Sequence, residues 1–115
     1  MNVLNVVNVT QYPFESEVET LCEQLNLKCR AFESTQMAYI DTEFDYWLLK
    51  VNDYNQVQLF HKNNGGNKMR VHGQRPYKDI KYAVMSIYTH TMHKKTGKDY
   101  RITKDHEIIV KDMRC

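Results

Sequence analysis

Long apolar runs are missing from this chain, the longest being three or four residues, such as Tyr46–Leu49. A membrane-spanning helix needs about 20 apolar residues in a row. The start, Met1–Val9, has no cationic stretch and is interrupted by Asn2, Asn5 and Asn8, so it does not read as a signal peptide. A cytoplasmic chain with no membrane contact is expected. Cysteine is also scarce: Cys22, Cys29 and Cys115 are an odd number and include no CxxC pair. That excludes a disulfide framework and a structural zinc knuckle as organising devices. Reduced thiols are expected, with Cys22 and Cys29 packed as small hydrophobes.

Glycine (four) and proline (two) are too few for a flexible linker, and no repeat or low-complexity tract is present. Residues 1–115 are therefore expected to form a single domain. Catalytic and ligand signatures are absent as well. There is no glycine-rich phosphate loop, HExxH, GxSxG or EF-hand loop. The pair Gly65–Gly66 lacks the following Lys-Ser/Thr of a nucleotide-binding loop. No cofactor is expected.

What is present suits a folded globule. Hydrophobic residues make up 42% and charged residues 26% of 115, with eight Tyr, four Phe and one Trp. Neither low hydrophobicity nor high net charge, the marks of disorder, applies. The net charge of +2 is unevenly spread. Residues 1–60 hold three bases against nine acids, a balance of −6, and residues 61–115 hold thirteen against five, a balance of +8. All five histidines lie in the basic half.

Periodicity predicts α+β: an antiparallel β meander packed on one face by two helices, in the order β-α-β-β-β-β-β-α-β-β. Asn2–Val9 reads as an edge strand. Ser16 and Glu19 fit a capping box for a short acidic helix whose apolar stripe is Val18, Leu21, Cys22 and Leu25. Glu15, Glu17, Glu19 and Glu23 sit where the helix dipole favours acids.

Period-two alternation then predicts strands at Leu27–Ala31, Met37–Ile40, Tyr46–Val51, Val57–His61 and Lys68–His72. Turns are expected at Asn52–Asn55 and Asn63–Asn67. Pro76 is expected to end the sheet. A long helix follows at Lys78–Lys95, with Ile80, Ala83, Val84, Ile87, Tyr88, Thr91 and Met92 on its apolar face and Gly97 just beyond its end. Lys94 is expected on its wet side. Tyr100–Thr103 and Glu107–Val110 close the chain as short strands.

Four placements bear on function. Pairing across the Asn63–Asn67 turn sets His61 opposite Arg70 and Leu59 opposite His72, so two imidazoles and a guanidinium share one face. Such a trio suits phosphate binding or acid–base work on RNA, although a solvated hairpin face is the plainer reading. His90 and His93, three apart on the long helix, lack the further ligands that a metal site needs. The stretch Lys62, Lys68, Arg70, Arg75, Lys78 and Lys81, with Tyr77 and Tyr82, mixes cations with stacking rings, as nucleic-acid binders do. The acidic helix can meet a basic partner, although capping accounts for it.

The expectation is a non-enzymatic binding protein whose partner is nucleic acid or a nucleic-acid-handling protein. Its contacts would be Lys62, Lys68, Arg70, Arg75, Lys78, Lys81, Tyr77, His61 and His72. A small metal-independent ribonuclease using the hairpin histidines, and a pure protein-interaction or inhibitor module, are the alternatives.

Overall fold

A computed structural model describes residues 3–5, 13–63, 66 and 68–111. The elements run β1 (Val3–Asn5), α1 (Phe14–Gln24), β2 (Lys28–Phe32), β3 (Met37–Asp41), β4 (Asp45–Val51), β5 (Val57–Asn63), β6 (Arg70–Tyr77), α2 (Ile80–Thr96), β7 (Asp99–Ile102) and β8 (Glu107–Lys111). This is the expected order of an α+β chain. Strands β2 to β6 form one antiparallel meander of five strands in sequence order. The last two strands do not extend it. They join β1 in a separate sheet of order β1-β8-β7. The expected strand at Asn2–Val9 is seen as Val3–Asn5. Residues 6–9, part of the Asn63–Asn67 turn and Cys115 lie outside the described residues.

Both helices cover the same face of the meander. Helix α1 packs on β2 and α2, and α2 packs on β4, β5, β6 and β7. The stripe Val18, Leu21, Cys22 and Leu25 is buried, and so are Ala83, Val84 and Ile87 of α2. Facing them are Ala38, Ile40, Trp47, Leu49, Val57 and Leu59, alternate residues of β3, β4 and β5. Ile108 of the small sheet completes the core. Cys22 is buried but Cys29 is only half-buried, contrary to expectation. Their thiols share a hydrogen bond that raises the Cys22 pKa and lowers that of Cys29.

Helix α1 starts before the expected capping box. Pro13 is its N-cap residue, and no side chain caps it. Starting there buries Phe14 in the core. The Glu15 N–H instead donates to the Glu33 carboxylate from the β2–β3 turn, at 2.9 Å. Helix α2 is capped by Asp79, which accepts from the Tyr82 N–H at 2.7 Å. It stops at Gly97, whose φ of 74° is left-handed. Pro76 does not end the sheet. It lies within β6, which continues to Tyr77 past a register shift and past Gly73, whose φ is 88°. Proline is tolerated there because β6 is an edge strand with no neighbour needing its N–H.

Ile87 is fully buried at mid-helix. Placing a carboxylate there is expected to cost several kcal/mol, about the whole stability of a small domain. Urea unfolding of Ile87→Asp checks this, and a wild-type midpoint would contradict the placement of α2.

Candidate functional site

Strand alternation sorts the functional side chains onto two faces. On the helix-covered face, register aligns Cys29, Ile40, Trp47, His61 and Arg70 in one row, and Ala31, Ala38, Leu49, Leu59 and His72 in the next. The expected pairing of His61 with Arg70 and of Leu59 with His72 is therefore present. The face is only partly solvated: Arg70 is exposed, while His61 and His72 are half-buried. His61 and His72 point to the same side as Trp47 and lie under α2, whose His90 joins them.

These rings form one cluster. His61 stacks on Trp47 with centroids 4.7 Å apart, and His72 and His90 meet the same indole edge-on at 4.9 Å and 5.2 Å. The imidazole centroids lie 4.8 Å (His61–His72), 5.4 Å (His72–His90) and 5.6 Å (His61–His90) apart. Beside them is Asp45, the first residue of β4, fully buried. The β3–β4 turn holds its backbone, since the Thr42 hydroxyl accepts from the Asp45 N–H at 3.0 Å.

Lys94 Nζ bridges both carboxylate oxygens of Asp45 at 3.0 Å and 2.9 Å. Lys94 is thus an ion-pair partner of the core rather than a freely solvated charge. His90 Nδ1 and His61 Nδ1 approach the same carboxylate at 3.6 Å and 4.0 Å, too far for hydrogen bonds. Both nitrogens, and Trp47 Nε1, are buried without a hydrogen-bond partner. Burial holds the His72 and His90 pKa values below the ordinary imidazole value, although Asp45 opposes this. Both rings are thereby favoured as neutral bases near pH 7.

Two pockets flank the cluster. A groove of about 500 Å³ is lined by His61, Lys62, Asn63, Gly66, Lys68 and Arg70, with no acid among them. On the other side, His72 and His90 line a space of about 320 Å³ with Ser86, Thr89 and Tyr100. His93 and Asp99 line the same space, with His93 Nδ1 3.2 Å from the Asp99 carboxylate. Among the described residues no three His, Cys, Asp or Glu side chains converge as a metal site.

Neither of the described helices lies on the opposite face of the meander. Register sets Arg30, Tyr39, Leu48, Phe60 and Val71 in its middle row. Lys28, Asp41, Tyr46 and Lys62 lie on one side of that row, and Phe32, Met37, Lys50 and Gln58 on the other. Phe32, Tyr39 and Tyr46 remain 44%, 39% and 43% exposed. Arg30 lies over the Tyr39 ring at 5.8 Å and Lys62 over the Tyr46 ring at 5.6 Å. Among the described strand residues, four cations, Lys28, Arg30, Lys50 and Lys62, share this face with one acid, Asp41.

The expected basic set is thus divided. Lys62, Lys68, Arg70 and His61 meet at the groove, with His72 one ring behind. Tyr77 lines the space beside His72 and His90 and also, with Lys78, Tyr82 and His106, a further pocket. Arg75 is exposed elsewhere on β6, and Lys81 is buried, so it is not a surface contact. The sequence did not place Asp45, Trp47 or Lys94 in a site, nor, Lys62 apart, the rings and cations of the open face. Alternation carried the signal for the latter, because Tyr39 and Tyr46 fall out of phase with buried Ile40 and Trp47. No known protein family, curated protein or solved structure matches this chain.

Proposed function

We propose that the chain binds single-stranded nucleic acid across the open face of the meander. The observation that carries this is the interleaving of exposed rings and cations on the sheet face that neither described helix covers. Rings on a sheet surface stack unpaired bases, and neighbouring Lys and Arg hold the phosphates between them. Lys62 belongs both to this face and to the wall of the groove, so a strand crossing the face is led towards Lys68 and Arg70. A duplex hides the faces of its bases, so it gains only the phosphate contacts.

Fluorescence anisotropy with labelled single-stranded DNA or 2′-O-methyl RNA tests the proposal. Each stacked base is worth about 1–3 kcal/mol, so Tyr39→Ala and Tyr46→Ala should each weaken binding by about fivefold or more. Arg30→Ala and Lys62→Ala should each also flatten the dependence of log affinity on log salt by about one contact. No binding at about 50 mM salt, or tyrosine variants that bind like wild type, would refute it. Capture of a protein partner with no salt dependence would favour an interaction module instead.

A further inference from the structure

The groove at the tip of the β5–β6 hairpin gathers positive charge that its own lining does not offset. Lys62 and Asn63 end β5, Arg70 begins β6, and Lys68 stands just before it. With His61 they line a space of about 500 Å³ that has no acid in its wall. Lys68 and Arg70 are exposed, and among the described residues neither pairs with a carboxylate. Nearby cations are treated differently. Lys95 reaches Glu43 at 3.4 Å, and Lys94 bridges Asp45, the carboxylate beside His61. Asp45 is thereby neutralised from the helix side and does not compensate the groove. Like charges gathered in this way repel, and a bound anion relieves the repulsion.

His61 points to the same kind of ligand. Its Nδ1 is buried without a hydrogen-bond partner and lies 4.0 Å from Asp45. Nε2 is therefore the one side-chain polar atom that His61 can offer to the groove. When protonated it donates, as Lys62, Lys68 and Arg70 always do. Asn63 Oδ1 is taken up by Lys94 Nζ at 3.4 Å. A wall built from donors suits a ligand whose oxygens only accept, and charge-assisted bonds of this kind are the strong ones.

The position of the groove on the sheet narrows the ligand further. The last row of the open face before the hairpin tip is Lys28, Asp41, Tyr46 and Lys62. Beyond it, β4 and β5 add only Asp45 and Asn63. A strand whose bases stack on Tyr39 and then Tyr46 therefore runs off these strands at Lys62, where the groove begins. A phosphodiester inside a strand carries a single negative charge. A phosphomonoester carries about −1.5 to −2 at pH 7 and offers three acceptor oxygens. Lys62, Lys68 and Arg70 together match the monoester. We propose that the groove holds the terminal phosphate of a single strand lying across the open face. This rests on the strand binding argued above and names the phosphorylated strand end as what the groove recognises.

The test is fluorescence anisotropy with internally labelled single-stranded DNA of one sequence. One strand has hydroxyls at both ends, a second is phosphorylated at the 5′ end, and a third at the 3′ end. A hydroxyl-ended strand lengthened to match the phosphorylated ones in charge is the control for unspecific attraction. Expected is binding about tenfold or more tighter when the phosphate is on one of the two ends, the worth of an added hydrogen bond to a charged group. The lengthened strand should fall short of that gain. Lys68→Gln and Arg70→Gln should each cut the ratio of phosphorylated to hydroxyl-ended affinity by about threefold or more. Both replace exposed side chains and should melt as the wild type does, so a lost preference is not lost folding. Tyr39→Ala should weaken every strand and leave the ratio as it was.

Equal affinity for phosphorylated and hydroxyl-ended strands, or a gain fully matched by the lengthened strand, would overturn end recognition and leave binding across the open face standing. A preference that survives both glutamine variants would place the phosphate elsewhere and overturn the groove as its site. Failure to bind any of the strands would remove both readings.

Discussion

Lys94→Met is expected to destabilise the fold by about 2–4 kcal/mol, and Lys94→Asp by more, although Lys94 lies near the end of a helix and on its wet side by sequence. A surface lysine changed in isolation usually costs about half a kcal/mol or less. Here Nζ is the cation for a carboxylate that has no contact with water. Removing one partner of such a pair leaves the other charge buried and uncompensated, at about 3–5 kcal/mol. The Lys94 side chain is 33% exposed, so solvent screens part of the interaction and the lower end applies. Lys94→Asp adds repulsion between two carboxylates.

A double-mutant cycle isolates the pair. Asp45→Asn alone should also destabilise, while Asp45→Asn combined with Lys94→Met should recover about 2 kcal/mol relative to the sum. Urea midpoints for the four proteins measure it. Additive effects within about 0.5 kcal/mol would show that the two groups are independent and that the histidine cluster has no ionic anchor.

Glu17→Gln is expected to stabilise the protein, and more so as pH rises. Glu17 lies in the first turns of α1 with only 6% of its surface exposed. Burial, helped by the negative charge of Asp79 at the start of α2, raises its pKa from 4.5 to about 7. The folded state therefore holds a proton that the unfolded chain releases above about pH 4.5. Stability from this group is full at lower pH and declines as pH climbs from about 4.5 to about 7, after which the loss is complete. A shift of that size corresponds to at most about 3 kcal/mol. Glutamine keeps the shape and cannot ionise, so the variant should gain little at pH 5 and up to that amount at pH 8. Urea midpoints of both proteins across that range give the comparison. A gain that is the same at every pH would assign the effect to packing rather than to charge.

Much of the architecture followed from local rules. Alternation in β2 to β5 and the stripe of α2 are statements about which side chains can be buried together. They hold whatever the rest of the chain does. Gly97 ends α2 because only a left-handed residue lets the final carbonyls be satisfied. The hairpin register set His61 opposite Arg70 from turn length alone. Even the inward direction of His61 was legible, since it keeps step with Val57 and Leu59 on one strand. A preference for polar residues outside obscured it. The start of α1 was not legible. Its first-turn N–H is satisfied by Glu33, eighteen positions away, and a local capping box was no substitute.

By itself, then, the sequence determined the α+β class, the element order and the residues that share each strand face. These depend on periods of two and 3.6 residues and on turn chemistry, which act over a few neighbours. Tertiary structure alone decided where the charges and imidazoles meet. Asp45 and Lys94 are 49 residues apart, and His90 reaches His61 and His72 only because α2 packs on β4, β5 and β6. The letters Asp, Lys, Glu and His are the same on a wet face as on a dry one. Burial makes Asp45 an anchor, Glu17 a proton holder and Lys81 unavailable to a partner, and burial is a property of the packed chain.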